Sequence, residues 1–172
     1  MVALLASYFF PNAVHLTDIE WRKPGTAEYR IQQSWTQPSA VGEKYFDKEV
    51  YILTSSHTPS AAEAFTYDLK ALKRATVVGE TTWGGANPGG VEKLDEHFMA
   101  FIPAGRAINS ITKTNWEGKG VEPDITATAD KALKIAYTTA LKHLADKSTD
   151  PQEQQMLRHA LADAQADLQA EP

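Results

Sequence analysis

Two short β-rich apolar runs bracket a helical stretch in this chain, and that arrangement constrains its fold more than any other feature. "EVYILTS" (49–55) and "ATVVGE" (75–80) each have the length and branching of a buried strand. Between them "PSAAEAFTYDLKALKR" carries Ala62, Phe65, Leu69 and Leu72 at helical spacing. Strand, helix and strand within about 32 residues make a βαβ unit. Its crossover implies parallel pairing of the two strands, and so an α/β fold class.

The flanking segments fill in around this unit. Ala3 to Phe10 reads as a core helix that ends at Pro11, and residues 12–48 as short strands and loops, including the alternating "EYRIQQSW". "TTWGGANPGG" (81–90) is a glycine-rich loop, "HFMAFIPAGRAI" one or two strands, and "NWEGKGVEPDI" (115–125) a turn-rich segment. Between Asp130 and Lys147 a helix presents Leu133, Ala136, Tyr137, Ala140, Leu141 and Leu144 on one face. Residues 148–151 break it, and 152–169 form a second helix carrying Met156, Leu157, Leu161, Ala164 and Leu168. The expected division is a main domain over 1–147 and a helical extension over 148–172. That extension offers a face through which copies of the chain could pair.

At 172 residues the chain suffices for one buried core. A net charge of −5 without a lysine/arginine cluster disfavours nucleic acid as a partner. The absence of cysteine excludes thiol catalysis, disulfides and thiolate metal sites. The five histidines lack HExxH-like spacing, so no metal site is read, and the glycine-rich loop matches no nucleotide-binding pattern, so no cofactor is expected. "MVALLASYFF" is too short to span a bilayer and lacks the basic start and small-residue cleavage site of a signal peptide. An opening this apolar suggests a piece cut from a longer protein.

The chemistry concentrates at "TSSHTPSAAEAF" (54–65). Ser60 and Glu63 match a capping box. Pro59, however, suits the first helical position, which makes Thr58 the cap and frees Ser60 beside the positive, N–H-rich end of the helix. A serine there lies next to donors that can stabilise an oxyanion, the N–H of Ala61 being nearest.

"TPSAAEAF", "RATVVGETTWGGANPG" and "NWEGKGVEPDI", in this order and spacing, resemble peptidase family S41 over about residues 1–125. That family includes the C-terminal processing proteases, the tricorn core and the interphotoreceptor retinoid-binding protein modules. The resemblance implies a ClpP/crotonase-like spiral of ββα units, here partial, with C-terminal helices. It also implies a peptide or protein substrate, Ser60 as nucleophile, the Ala61 N–H as half of an oxyanion hole, and Glu117 as a supporting glutamate. Trp83, Gly84 and Gly85 are expected to line the substrate cleft, with Trp83 also open to a purely structural reading.

The chain departs from the processing proteases at Gly85, where they carry the lysine base; Lys73 and Lys93 do not match that pattern. His57, three residues before Ser60, is a local substitute base or simply a polar turn residue. The tricorn-like branch takes its histidine from an upstream segment, and the glycine block that supplies the second oxyanion donor is also expected upstream. The implied function is a serine peptidase whose catalytic domain this chain completes but does not contain, so that the isolated piece would be inactive. The alternative is a non-catalytic module binding an apolar small molecule, as in the retinoid-binding members. Many bacterial members are exported, so the resemblance suggests a periplasmic or secreted location.

Overall fold

In a computed structural model, residues 1–169 are described. The βαβ unit is present as expected. Strand β3 (Tyr51–Thr54) pairs in parallel with β4 (Thr76–Gly79), aligning Leu53 with Val78, and helix α2 (Ala61–Ala71) crosses between them. A two-residue strand, β8 (Ile125–Thr126), extends the sheet beyond β4, giving the order β3-β4-β8. Because β3 lies at an edge it is not buried throughout: Leu53 is 42% exposed, whereas Val77 and Val78 on central β4 are fully covered.

A second sheet is antiparallel, in the order β2-β1-β7, from β1 (Thr17–Arg22), β2 (Tyr29–Gln32) and β7 (Gly105–Asn109). Register sets Ile19 opposite both Gln32 and Ala107. Strands β5 (Gly89–Lys93) and β6 (Met99–Pro103) form a separate hairpin, with Val91 opposite Phe101. The glycine-rich stretch therefore passes into a strand at its last two residues rather than remaining a loop to 90.

Helix α2 sits between two clusters. Leu69 packs with Ala6 and Leu16, joined by Phe9, Phe65 and Leu72; on its other flank Ala64 and Tyr67 meet Ala86, Ala107, Trp116 and Val121. Ala62 of the expected apolar stripe is exposed instead. The N-terminal helix is shorter than its periodicity suggests: α1 (Val2–Ala6) gives way to a 3-10 turn at Ser7–Phe9, and Phe10 is extended, as the residue before a proline tends to be.

Helix α3 (Ala132–Lys147) covers the parallel sheet with small residues. Ala132 and Ala136 pack on Val78 with Tyr51 and Ile125, while Leu133, Tyr137 and Leu144 of the expected face are exposed. Close approach of helix to sheet selects the alanines. Helix α4 (Pro151–Gln169) begins on Pro151, a residue suited to the first turn, and packs against α3 with none of its described residues buried. Among the described residues no helix is long and apolar enough to cross a membrane.

Candidate active site

The helix α2 starts at Ala61, so its N-cap is Ser60; the expectation that Thr58 caps and Pro59 opens the helix is not met. Thr58 instead closes the preceding turn: its hydroxyl accepts the N–H of Ser55, and its own N–H donates to the Ser55 carbonyl. Relieved of the helix, the turn delivers Ser60 at φ 52°, ψ −115°. For a side chain with a Cβ this is a strained, sparsely populated conformation. Ser60 forms a capping box with Glu63, so it is not released from capping as the sequence suggested, yet it stays exposed at the head of the helix on a strand-to-helix turn.

Ser60 opens onto a cleft of about 860 Å³. Ala61, Trp83, Gly84, Gly85 and Glu117 line the same cleft, so all six residues singled out in the sequence share one concavity. Its body is mostly apolar, with Ile19, Ala64, Phe101, Ala107 and Trp116 on the walls. Successive small residues Ala61 and Ala64 leave a channel along α2. The N–H of Ala61, in the first turn where no intrahelical acceptor exists, has no hydrogen-bond partner among the described residues.

Glu117 reaches across from the turn-rich segment. One carboxylate oxygen accepts the N–H groups of Ala86 (2.7 Å) and Asn87 (2.9 Å), which anchors the glycine-rich loop to the floor of that segment. Glycine is required where the two loops cross. A Cβ on Gly120, at φ +77°, would lie 2.2 Å from the Thr82 carbonyl oxygen, and one on Gly84, at φ +96°, 3.0 Å from the Gly120 nitrogen. Gly85 is different. A Cβ there meets only the Trp83 ring at 3.5 Å and a Glu63 oxygen at 3.7 Å, which is ordinary contact. Trp83 itself is 71% exposed at the rim.

The alternative bases fall elsewhere. His57 is exposed and lies outside the cleft lining, as does Lys93 on the hairpin. Lys73, at the end of α2, borders a different cavity.

Two buried carboxylates were not singled out for the site by sequence reasoning. Asp68, two turns along α2 from Ser60, lines the cleft and accepts the Thr17 hydroxyl at 2.6 Å and the Asn109 amide at 2.8 Å. Burial pushes its carboxyl up to about 6, against the lowering effect of those two bonds. Glu63 is fully buried beneath the Ser60 turn. Its capping-box position was legible, but nothing local in the sequence announces that the side chain turns inward. Trp116, also on the wall, has a buried indole N–H with no acceptor among the described residues.

Fold and site together define a mixed α/β protein with its cleft at a serine-bearing strand-to-helix turn. A family model, "Peptidase family S41", matches residues 3–127. The chain belongs to peptidase family S41. Solved structures of similar fold include the photosystem II D1 C-terminal processing protease, at 18% identity and a TM-score of 0.55 over 73% of this chain and 30% of that one. A Parabacteroides merdae protein assigned as a peptidase is 21% identical with a TM-score of 0.65, covering 80% of this chain and 46% of the other. An assigned S41 protease from Bacteroides fragilis is 17% identical with a TM-score of 0.58, covering 96% and 41%. This chain spans less than half the length of each of these structures. At such identities the likeness is one of fold.

Proposed function

We propose that this chain is the C-terminal part of the catalytic domain of a serine-type peptidase, with Ser60 as its nucleophile. The observation that carries the reading is the strained backbone of Ser60 at the head of α2, opening on a cleft shared with Ala61, Trp83, Gly84, Gly85 and Glu117. In the reaction the Ser60 hydroxyl oxygen attacks the scissile carbonyl and its proton passes to a base carried upstream of this chain. The carbonyl oxygen, now negative, takes the N–H of Ala61, and the helix end adds its partial positive charge. Collapse of that intermediate expels the amine, which takes the proton from the base. Water then attacks the acyl-serine and frees the acid, regenerating Ser60.

Glu117 supports the site by holding Ala86 and Asn87, and the Trp83–Gly85 stretch forms the rim against which a peptide backbone lies. The two sheets and crossover helix are read as part of the ClpP/crotonase-like spiral, completed by the upstream portion, with 148–172 as an appended extension. The 172-residue chain alone is expected to be inactive. Membership of a peptidase family counts for this reading over the small-molecule binding module.

Ser60→Ala in the full-length protein tests the assignment. Peptide hydrolysis is expected to fall to background while the circular dichroism spectrum stays the same. Turnover equal to wild type would remove Ser60 from the mechanism.

A further inference from the structure

Glu63 stands in a capping-box position, yet its surroundings exceed what a cap requires. An ordinary third-position glutamate reaches back to one N–H and keeps its other lone pairs in water. Here the side chain has 0% exposure and accepts four hydrogen bonds. One oxygen takes the N–H of Ser60 (2.8 Å) and of Gly85 (2.9 Å). The other takes the Thr82 hydroxyl (2.5 Å) and the N–H of Gly84 (2.6 Å). The Thr82 hydroxyl meanwhile accepts the N–H of Val121 at 2.7 Å, so its own hydrogen is committed to Glu63. Every lone pair that the carboxylate offers is spoken for by a donor.

We propose that Glu63 is the positioning residue of this site: one carboxylate sets both the strained turn at Ser60 and the seat of the Trp83–Gly85 rim. Gly84 and Gly85 lie 21 and 22 residues from Glu63, and the carboxylate joins them to the Ser60 turn beside one direct backbone bond, from the Trp83 N–H to the Thr58 carbonyl at 3.0 Å. Through Thr82 the same group reaches the segment that carries Glu117. Nucleophile, rim and supporting glutamate are thereby referred to a single point. The inference rests on the serine reading for its catalytic consequence, and on geometry alone for its structural one.

Capping and positioning separate cleanly in Glu63→Gln. A capping box accepts glutamine as readily as glutamate. The four-donor cradle does not, because an amide offers one acceptor oxygen and turns an NH₂ toward the remaining pair. With either amide orientation at least one backbone N–H faces another donor. Small displacements of a reacting group are costly, about a hundredfold in rate for about 1 Å.

The experiment labels the full-length protein with a fluorophosphonate and separates the limiting rate of labelling from the half-saturating probe concentration. Glu63→Gln is expected to lower the limiting rate about a hundredfold, with half-saturation and the final labelled fraction unchanged. A merely structural loss would reduce the labelled fraction and leave the rate. Thr82→Val, which leaves the cap intact and removes one donor, is expected to move the rate in the same direction and serves if Glu63→Gln fails to fold. An unchanged limiting rate in the variants overturns the inference. If wild type is not labelled on Ser60, the serine reading fails, and amide hydrogen exchange then decides the role of Glu63. Exchange at Gly84 and Gly85 should quicken at least about tenfold in the variant while the Leu69 amide stays protected; unchanged exchange at both glycines overturns the proposal.

Discussion

Asp68 and Glu63 show at the scale of single residues how buried carboxylates can behave differently on one helix. Glu63 is cradled by four donors, whereas buried Asp68 has the Thr17 hydroxyl and the Asn109 amide on one oxygen and feels the Asp18 carboxylate as well. Its folded value of about 6 lies above the ordinary 3.8, so the native state holds the proton more tightly than the unfolded chain does. The associated stability is fully present below about pH 4 and is lost as pH rises through about 6, an effect of about 3 kcal/mol at most. Asp68→Asn keeps an oxygen for Thr17 and Asn109 and has nothing to titrate. Its urea midpoint is expected to exceed that of wild type at pH 7.5 and to lose the decline that wild type shows between pH 4 and 7. A wild-type midpoint flat over that range would exclude the linkage. Ser60 shows the reach of sequence at this scale. The residue types and their order marked it, but the turn that sets φ 52° is also held from a distance, by the Trp83 N–H on the Thr58 carbonyl at 3.0 Å, and no local pattern announces that.

Helix α2 carries most of the load at the scale of elements. One flank holds Leu69 in the cluster with Ala6 and Leu16, the other holds Ala64 against Trp116, and the head holds Ser60. Leu69→Ala removes a fully buried side chain from that hub and should cost about 2–5 kcal/mol in chemical denaturation. A loss under about 1 kcal/mol would mean that the cluster repacks freely and that α2 is not its organiser. The βαβ unit was legible because apolar period and strand length both survive into the fold. The face of α3 was not. Large side chains such as Leu133 and Tyr137 dominate any reading of periodicity, yet Ala132 and Ala136 are what is buried on the sheet, with Ile135 beside them, and of the expected leucines only Leu141 is buried. Spacing between layers decided that, and spacing is not written in one helix. The buried carboxylates of α2, Glu63 and Asp68, escaped for a related reason: partners that make their burial tolerable lie on Thr17, Thr82 and Asn109, far along the chain, whereas buried Thr66 donates locally to the Ala62 carbonyl.

At the scale of the whole molecule, residues 148–150 separate α3 from α4. Helix α4 buries none of its described residues and packs chiefly on α3, with the Gln154 amide donating to the Ala145 carbonyl at 3.2 Å. A chain ending at Lys147 should lose far-ultraviolet helical signal only in proportion to the 19 residues of α4 removed, and no more than about 5 °C in thermal midpoint. Complete unfolding of that variant would make 148–172 part of the core domain. The same variant tests pairing through the C-terminal helices: identical sedimentation with and without α4 removes that idea. The cleft, by contrast, is drawn from residues as far apart as Val2 and Glu117. Thr17 meets Asp68 across 51 residues, Asn109 meets it across 41, and Glu117 grips Ala86 across 31. Contacts of that separation close larger loops than the turns and helices do, and so they come late as a chain folds. On that ordering the helices and the crossover precede the closure of the cleft. The turn that carries Ser60 is thus formed early and walled in late.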